Sequence, residues 1–202
     1  MKVVECFYTL SSPWAYFGGP RYYAILRRHG ARGMLRPFDF QTVVPRTGGV
    51  PIRTRPQARR DYHRLELDRW RKRLDMPLNL EPRYYPQDKP LDNTLATHVV
   101  IAAQQAGLDA QRLSHAILTA LWAEERNTAD RATLVAIAAD CGIDAPPLFA
   151  PETEPAVKAE FERNSADAGA RGVFGSPTYC LDDAPYWGQD RLDFLERALA
   201  AA

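Results

Sequence analysis

One serine, placed directly before a proline, marks the stretch of this chain that is best suited to chemistry. Ser12-Pro13 follows the apolar, β-prone segment 3–8, and this pattern predicts a strand that runs straight into the first turn of a helix. Free amide groups and the positive end of the helix dipole favour a bound anion at such a junction, and a thiolate is one such anion. The Ser12 hydroxyl either binds that anion or only caps the helix, and the sequence leaves both interpretations open.

The other side chains able to bind metals or act as nucleophiles show no spacing that supports such a role. The three cysteines are far apart, and they form neither a C-x-x-C motif nor a set of metal ligands. We therefore expect them to be small buried hydrophobic residues, and we expect the four histidines, which lack a second ligand at helical spacing, to be structural. These residues are Cys6, Cys141 and Cys180, and His29, His63, His98 and His115. The sequence predicts no metal site.

Composition places the chain among ordinary globular proteins and argues against some classes of partner. Its 202 residues and 46% hydrophobic content suit one domain, or one domain with an insertion. The 26 basic and 25 acidic residues leave a net charge of +1, so we expect neither a nucleic acid nor a membrane as a partner. Residues 1–5 do not open an apolar leader, and no segment reaches membrane-spanning length, so the expected location is cytoplasmic.

A βαβ unit is expected around the Ser12 junction. A helix is predicted over residues 13–29, with a weak point at Gly18-Gly19-Pro20, and Gly30 ends it. A second strand is predicted over residues 34–40, parallel to the first if the helix makes a right-handed crossover. Residues 41–55 are rich in Pro, Gly, Thr and Arg without periodicity, so we expect a long loop there.

The middle of the chain is predicted to be helical. A basic helix covers residues 56–74, with Tyr62, Leu65, Leu67, Trp70 and Leu74 as its apolar set. The arginines in and before this helix either face an anionic substrate or form a solvated surface; they are Arg53, Arg55, Arg59, Arg60 and Arg64. After a proline-rich connector at 77–90, four helices are expected at 94–106, 109–126, 130–141 and 154–168. Asn93-Thr94 and Asn127-Thr128 are the candidate N-caps.

The last part of the chain returns to β structure. Residues 172–178 lead into a strand at 179–181, Asp182-Asp183 makes a tight turn, and residues 184–187 form the hairpin partner. A final amphipathic helix starts at Gly188-Gln189-Asp190. The predicted order of elements is therefore βαβ, a helical block, and ββα.

Three short motifs in this order resemble the 2-hydroxychromene-2-carboxylate isomerase family. They are Ser12-Pro13-Trp14 after the first strand, Gly175-Ser176-Pro177-Thr178 before the third strand, and Trp187-Gly188-Gln189-Asp190-Arg191 at the last helix. That family belongs with the kappa-class glutathione transferases and is related to the DsbA proteins. The resemblance implies an α/β, thioredoxin-like fold (βαβ … ββα) with an all-helical insertion of DsbA/kappa type. It divides the chain into a thioredoxin-like domain, residues 1–55 and 170–202, and a helical insertion domain, residues 56–169.

The resemblance also implies that glutathione is the cofactor. In thioredoxin-fold oxidoreductases the junction carries C-P-x-C, whereas the same positions here read Ser12-Pro13-Trp14-Ala15. An internal disulfide is therefore excluded at this junction, and the family relationship assigns the thiol to glutathione and the catalytic hydrogen bond to Ser12. The implied cofactor-binding residues are Ser12, Trp14, Ser176, Pro177 (as a cis-proline), Trp187, Gly188, Gln189 and Asp190.

The implied reaction is cis-trans isomerisation of an unsaturated aromatic, pyruvate-like carboxylate through thiolate addition, bond rotation and elimination. The family's substrate lysine falls near Val44, so that cation is absent, and its Asn-Arg pair falls at about Arg53-Thr54, beside Arg55. The substrate-binding candidates are therefore Arg53, Thr54, Arg55 and Tyr84. Two alternatives remain: a kappa-like glutathione transferase that conjugates electrophiles, and a non-catalytic thioredoxin-fold binding module. Members of this group are commonly homodimers, and the resemblance implies the same here.

Overall fold

A computed structural model of the chain describes residues 1–86 and 89–201. Its sheet consists of the strands β1 (Val3–Tyr8), β2 (Arg32–Pro37), β3 (Thr178–Leu181) and β4 (Ala184–Trp187). The described α-helices are α1 (Pro13–Arg28), α2 (Phe40–Arg46), α3 (Gln57–Leu74), α4 (Thr94–Gln105), α5 (Ala110–Trp122), α6 (Arg131–Asp140), α7 (Glu154–Ala170) and α8 (Leu192–Ala201). Short 3₁₀ turns occupy Ile52–Thr54, Pro146–Phe149, Pro151–Thr153 and Gln189–Arg191. The predicted order of βαβ, helical block and ββα is confirmed.

The strand order β2-β1-β3-β4 determines which loops meet. β1 is parallel to β2, while β3 is antiparallel to both β1 and β4. Phe7, near the end of β1, lies opposite Thr178, at the start of β3. Since the end of one strand adjoins the beginning of the other, the Ser12 junction and the turn at Ser176 come to the same edge of the sheet.

Helix α1 is continuous through Gly18-Gly19-Pro20, the predicted weak point. Its two glycines lie where neighbouring elements pack closely against the helix. A Cβ on Gly18 would overlap the Tyr179 hydroxyl, and a Cβ on Gly19 would lie 2.9 Å from the His115 ring nitrogen. Pro20 lies on the exposed side of the helix. The glycines therefore allow α1 to lie close to both β3 and α5.

The structure corrects several element boundaries. Residues 41–55 do not form a continuous loop, because Asp39 caps α2 by accepting the Thr42 N–H at 3.1 Å, and a 3₁₀ turn follows at Ile52–Thr54. β2 begins at Arg32 and ends at Pro37 instead of covering 34–40, and α5 ends at Trp122 instead of near residue 126. The apolar set of α3 is also partly wrong, since Tyr62 is 57% exposed and Leu65 is 45% exposed.

Of the two predicted asparagine caps, Asn93 is confirmed in position only, and Asn127 is wrong. Asn93 holds the N-cap position of α4, but its side chain makes no capping bond, and Asp92 accepts the Thr94 N–H at 2.9 Å instead. Asp130, not Asn127, caps α6 by accepting the Thr133 N–H at 2.8 Å. Asn127 lies three residues before this cap, and its Oδ1 accepts the Ala129 N–H at 3.2 Å.

The hydrophobic core runs through the sheet and the helical block. Tyr16, Tyr22 and Leu35 belong to the same buried cluster as Leu113 and Ile117 of α5. The three cysteines are buried and unpaired, as expected, and burial raises the pKa of the Cys6 thiol far above its ordinary value. The described residues of the 77–90 connector are irregular, while residues 87 and 88 lie outside the described residues. No helix in the described ranges combines the length and apolar character needed to cross a bilayer.

Candidate functional site

The Ser12 hydroxyl bridges the first helix and the turn before β3. Ser12 has an extended backbone, φ −82° and ψ 118°, and its Oγ accepts the Ala15 N–H at 3.2 Å. The same hydroxyl donates a hydrogen bond to the Ser176 carbonyl, 164 residues away, at 3.1 Å. Ser12 is only 7% exposed. Ser12 is therefore a helix cap, which was one of the two interpretations of the sequence. Its hydroxyl proton is directed to Ser176, in the turn before β3.

Two backbone N–H groups next to this hydroxyl remain available to a ligand. Ala15 N–H is used by Ser12, Tyr16 N–H donates to the Ser12 carbonyl at 3.1 Å, and Pro13 has no N–H. In the described part of the chain, no hydrogen bond uses the N–H of Trp14 or of Ser176. The Ser176 side chain is occupied, since its Oγ accepts the Thr9 N–H at 3.0 Å. The Ser176-Pro177 peptide bond is cis, the conformation that the resemblance implies.

A cavity of about 500 Å³ opens beside this junction. Its walls come from the ends of β1 and β2, the first turns of α1 and α4, the 51–55 segment, α7 and the turn before β3. The aromatic residues that line it are Trp14, Phe38, Phe40, Tyr85, Phe161, Phe174 and Trp187. A volume of this size with several aromatic walls suits a small organic ligand.

Gly175 allows the Trp187 indole to form one wall of the cavity. A Cβ on Gly175 would lie 2.7 Å from Cε2 and 2.9 Å from Cδ1 of that indole, so only glycine fits beneath it. Phe174 meets the indole edge to face, with ring centroids 4.7 Å apart. Both aromatic rings are nearly half exposed, which places them at the rim of the cavity.

Arg53 and Arg55 bring positive charge to the cavity lining. Arg53 donates to the Pro86 carbonyl at 2.7 Å, and its guanidinium lies 5.1 Å from the centre of the Tyr85 ring. Arg55 donates from Nε to the Val50 carbonyl at 2.8 Å, and burial, followed by repulsion from Arg59, lowers its pKa. Each guanidinium thus has a fixed backbone anchor.

His63 of α3 contributes a neutral ring to the same cavity. Its ring meets Trp14 edge to face at 5.3 Å. Burial, together with the smaller effect of the Arg55 charge, lowers the pKa of His63 to about 4. At neutral pH the imidazole is therefore uncharged, and it does not compete with the arginines for an anionic group.

The cavity also carries acidic groups, so its charge is mixed. Asp39, Asp92 and Glu154 line it together with Lys158 and the two arginines. His98, which likewise lines the cavity, forms a hydrogen bond from Nε2 to the Leu148 carbonyl at 2.9 Å. An anionic group of a ligand is therefore attracted by individual basic side chains, because the described lining of the cavity has no uniformly positive electrostatic potential.

The structure brings together about half of the predicted site residues. Four of the predicted cofactor-binding residues line the cavity: Ser12, Trp14, Ser176 and Trp187. Two of the predicted substrate-binding residues also line it, Arg53 and Arg55. The other candidates have different surroundings. Thr54 is exposed and donates to the Pro51 carbonyl at 3.0 Å, while the Tyr84 ring lies under the Arg83 guanidinium at 5.3 Å. Tyr85, the next residue, lines the cavity instead of Tyr84.

The segment after β4 also lies apart from the cavity lining. Gly188, at φ 97°, donates its N–H to the Pro177 carbonyl at 2.9 Å. Gln189 is 2% exposed, and both its side chain and its carbonyl accept hydrogen bonds from Arg21. Asp190 is partly exposed and pairs with Arg191 at 3.5 Å. These residues hold the turn that supports Pro177 in position.

Sequence reasoning missed several residues of the cavity wall. Phe174 stands directly before the Gly-Ser-Pro motif, and an aromatic residue beside such a turn was the available signal. Asn93 has the signature of a helix cap, yet its amide faces Ser11, with Nδ2 3.4 Å from the Ser11 Oγ. Lys158 gives no local signal, because only the packing of α7 brings it to the cavity.

Comparison with known proteins places this geometry in a family. The model of the DSBA-like thioredoxin domain matches residues 3–200. The 2-hydroxychromene-2-carboxylate isomerase of Sphingobium xenophagum is 28% identical over 200 residues, covering 98% of each chain.

Two solved structures share the fold. A 2-hydroxychromene-2-carboxylate isomerase superposes with a TM-score of 0.75 at 23% identity, covering 98% of this chain and 95% of that one. The cytosolic disulfide reductase DsbM from Pseudomonas aeruginosa, solved with GSH, superposes with a TM-score of 0.69 at 21% identity, covering 98% and 99%. The recognised resemblance and the thioredoxin-like fold class are both confirmed by these matches. This chain belongs to the family of DSBA-like thioredoxin domains and is similar over its full length to 2-hydroxychromene-2-carboxylate isomerases.

Proposed function

We propose that this protein is a glutathione-dependent isomerase of the 2-hydroxychromene-2-carboxylate type. The observation that carries the proposal is the buried Ser12 hydroxyl, at a helix N-terminus and in the wall of an aromatic cavity, where related oxidoreductases have a thiol. A serine there does not form a disulfide, but it can donate a hydrogen bond to another molecule's sulfur. The full-length similarity to isomerases supports the reaction type.

The residues at the junction fit a tripeptide thiol. No hydrogen bond among the described residues uses the N–H of Ser176, which lies directly before the cis-proline and β3, so it suits the backbone of a peptide-like ligand that adds a strand. The Trp14 N–H, at the positive end of α1, suits an anionic sulfur. The structure of the relative DsbM solved with GSH supports glutathione as the tripeptide.

Glutathione, when bound, supplies a thiolate that adds reversibly to an unsaturated carbonyl compound, so that the former double bond rotates. Within this chain, Ser12 turns its proton from the Ser176 carbonyl to the anion and lowers the pKa of the bound thiol. Trp14, Phe174 and Trp187 exclude water from the reacting groups and stack against an aromatic substrate.

The substrate side lacks the family's lysine and relies on two arginines elsewhere in the cavity wall. Val44 is buried in α2, with 1% of its surface exposed, and is not a cavity residue. Arg53 and Arg55 line the cavity on anchored guanidinium groups and suit bidentate binding of a substrate carboxylate. The neutral His63 beside them leaves the positive charge to the arginines.

The test is the Ser12→Ala variant, assayed with glutathione and 2-hydroxychromene-2-carboxylate. We expect kcat to fall by roughly 10²-fold, the usual effect of removing one donor to a reacting anion. Ultraviolet absorbance of the thiolate, followed against pH, should show a higher pKa for glutathione bound to the variant. Full turnover by a Ser12→Ala protein that still binds glutathione would contradict the role of Ser12.

Asp130→Ala is the matched control, because it removes another N-cap far from the cavity. Asp130 accepts the Thr133 N–H at 2.8 Å and is outside the cavity lining. Both variants lose a cap worth about 1 kcal/mol, so the control accounts for any general effect of lower stability. We expect it to retain wild-type turnover.

Product analysis separates the alternative activities. An isomerase returns free glutathione after each turnover, whereas a kappa-like transferase accumulates a stable glutathione adduct with the same electrophile. Titration calorimetry without detectable glutathione binding would favour a non-catalytic binding module and would overturn the proposal.

A further inference from the structure

A second cavity, of about 290 Å³, lies behind the 51–55 segment. It shares one wall with the first cavity, formed by Ile52, Arg53, His63 and Tyr85. Its remaining lining comes from α3, from the connector after α3 and from the end of α5: Gln57, Arg60, Asp61, Arg64, Leu67, Leu80, Pro82 and Trp122. Of the predicted site residues, Arg53 lines this second cavity, and apart from Arg53 and His63 the proposed isomerase activity uses none of its described lining.

The polar part of this second cavity is dominated by guanidinium groups. Arg60 and Arg64 are one helical turn apart on the same face of α3, where like charges repel each other. Arg64 pairs with Glu81, whereas Arg60 donates to the uncharged Gln57. Asp61, the carboxylate among the described lining residues, accepts a hydrogen bond from Gln57 at 2.6 Å. The described walls therefore carry net positive charge.

Two buried donors of the lining lack acceptors. Trp122 is 3% exposed, and within residues 1–86 and 89–201 its indole N–H has no hydrogen-bond partner. The Nε of Arg53 also has none in that part of the chain. A buried donor left unpaired is energetically unfavourable, so an acceptor brought by a ligand would be favourable at both positions. Both atoms can only donate hydrogen bonds, so the ligand group that binds them must be a hydrogen-bond acceptor.

The other part of the lining is apolar. Leu67 is buried, and Leu80 and Pro82 of the connector line the cavity together with Trp122. A lining that combines positive charge with hydrocarbon suits a molecule with an anionic head and an apolar body.

We propose that the second cavity binds a small aromatic carboxylate at a site separate from the catalytic cavity. The carboxylate is held by Arg60 and Arg53 and accepts the Trp122 N–H, while the ring packs on Leu67 and Leu80. This site does not depend on the proposed isomerase reaction, and Arg53, which lines both cavities, links the two.

The test uses benzoate as the probe and follows the tryptophan indole N–H signals by ¹⁵N–¹H NMR. The chain has four tryptophans, of which Trp122 lines the second cavity and Trp14 and Trp187 line the first. Trp122→Phe assigns the signal. We expect benzoate to shift the Trp122 signal saturably, and the uncharged benzamide to bind at least tenfold more weakly.

Variants on α3 separate this site from the first cavity. Arg60→Gln should weaken the benzoate effect on Trp122 at least fivefold, whereas Arg59→Gln, a neighbouring arginine that lines neither cavity, should leave it unchanged. Arg55→Gln, which alters the first cavity alone, should also leave the Trp122 titration unchanged. A shift confined to the Trp14 and Trp187 signals, no shift at all, or equal effects of Arg59→Gln and Arg60→Gln would each overturn the proposal.

Discussion

Replacing Gly175 by alanine should damage ligand binding far more than folding. The new Cβ would lie 2.7 Å from Cε2 and 2.9 Å from Cδ1 of the Trp187 indole, well inside ordinary contact distance. Because Trp187 is 49% exposed, its side chain can move away, so the backbone need not shift. The indole then loses its edge-to-face contact with Phe174 and its place in the cavity wall.

The effect on stability is small because two terms oppose each other. Loss of the Phe174–Trp187 contact costs about 0.5–1.5 kcal/mol. The alanine reduces the freedom of the unfolded chain, which stabilises the protein by about 0.4–1 kcal/mol. The net change in the free energy of unfolding is therefore within about 1 kcal/mol, or roughly 2–4 °C in Tm for a chain of this size. In contrast, we expect the Kd for glutathione to rise at least tenfold, which corresponds to about 1.4 kcal/mol.

A double-mutant cycle tests this explanation. In a Trp187→Ala background there is no indole to displace, so Gly175→Ala should be neutral or stabilising and should cause no further loss of binding. Urea unfolding and titration calorimetry on the four proteins give the coupling energy between the two positions, which we expect to reach about 1 kcal/mol for adjacent side chains. Equal effects of Gly175→Ala in both backgrounds would refute the reasoning.

Two further predictions concern the packing of α1 and the protonation of the cavity. Gly18→Ala should destabilise the protein by about 1–3 kcal/mol in urea unfolding, because its Cβ would overlap the Tyr179 hydroxyl, whereas Gly169→Ala, with open space around its Cβ, should stabilise it by up to about 1 kcal/mol. The same sign for both changes would contradict this. Since the pKa of His63 is about 4 in the folded protein and 6.5 ordinarily, the unfolded chain binds more protons between these values. Stability should therefore fall as the pH drops from about 6.5 to 4, and His63→Asn should make the urea midpoint less sensitive to pH over that range; an identical pH profile would contradict this.

The sequence was sufficient for the elements whose signals are local. The Ser12-Pro13 junction, the hairpin at residues 178–187 and most helices follow from apolar periodicity and turn residues within a few positions of each other. Helix α2 was missed because its seven residues contain Pro45 and lie in a segment rich in loop-forming residues. The cap of α6 was misassigned because the local sequence does not show whether the helix begins after Asn127 or after Asp130, and Asn93 was placed correctly although its side chain makes no capping bond.

The sequence by itself determined that a hydroxyl, and not a thiol, stands at the start of α1. The cis bond between Ser176 and Pro177, in the turn that faces this hydroxyl, was implied by the family resemblance and is present in the structure. Only the tertiary structure decided that Ser12 donates to Ser176, that Arg53 has Tyr85 as its neighbour, and that the Trp122 N–H, beside a second cavity, finds no acceptor among the described residues. The physical reason is that these contacts join residues far apart in the chain, and their geometry depends on how the sheet and the helical block pack against each other.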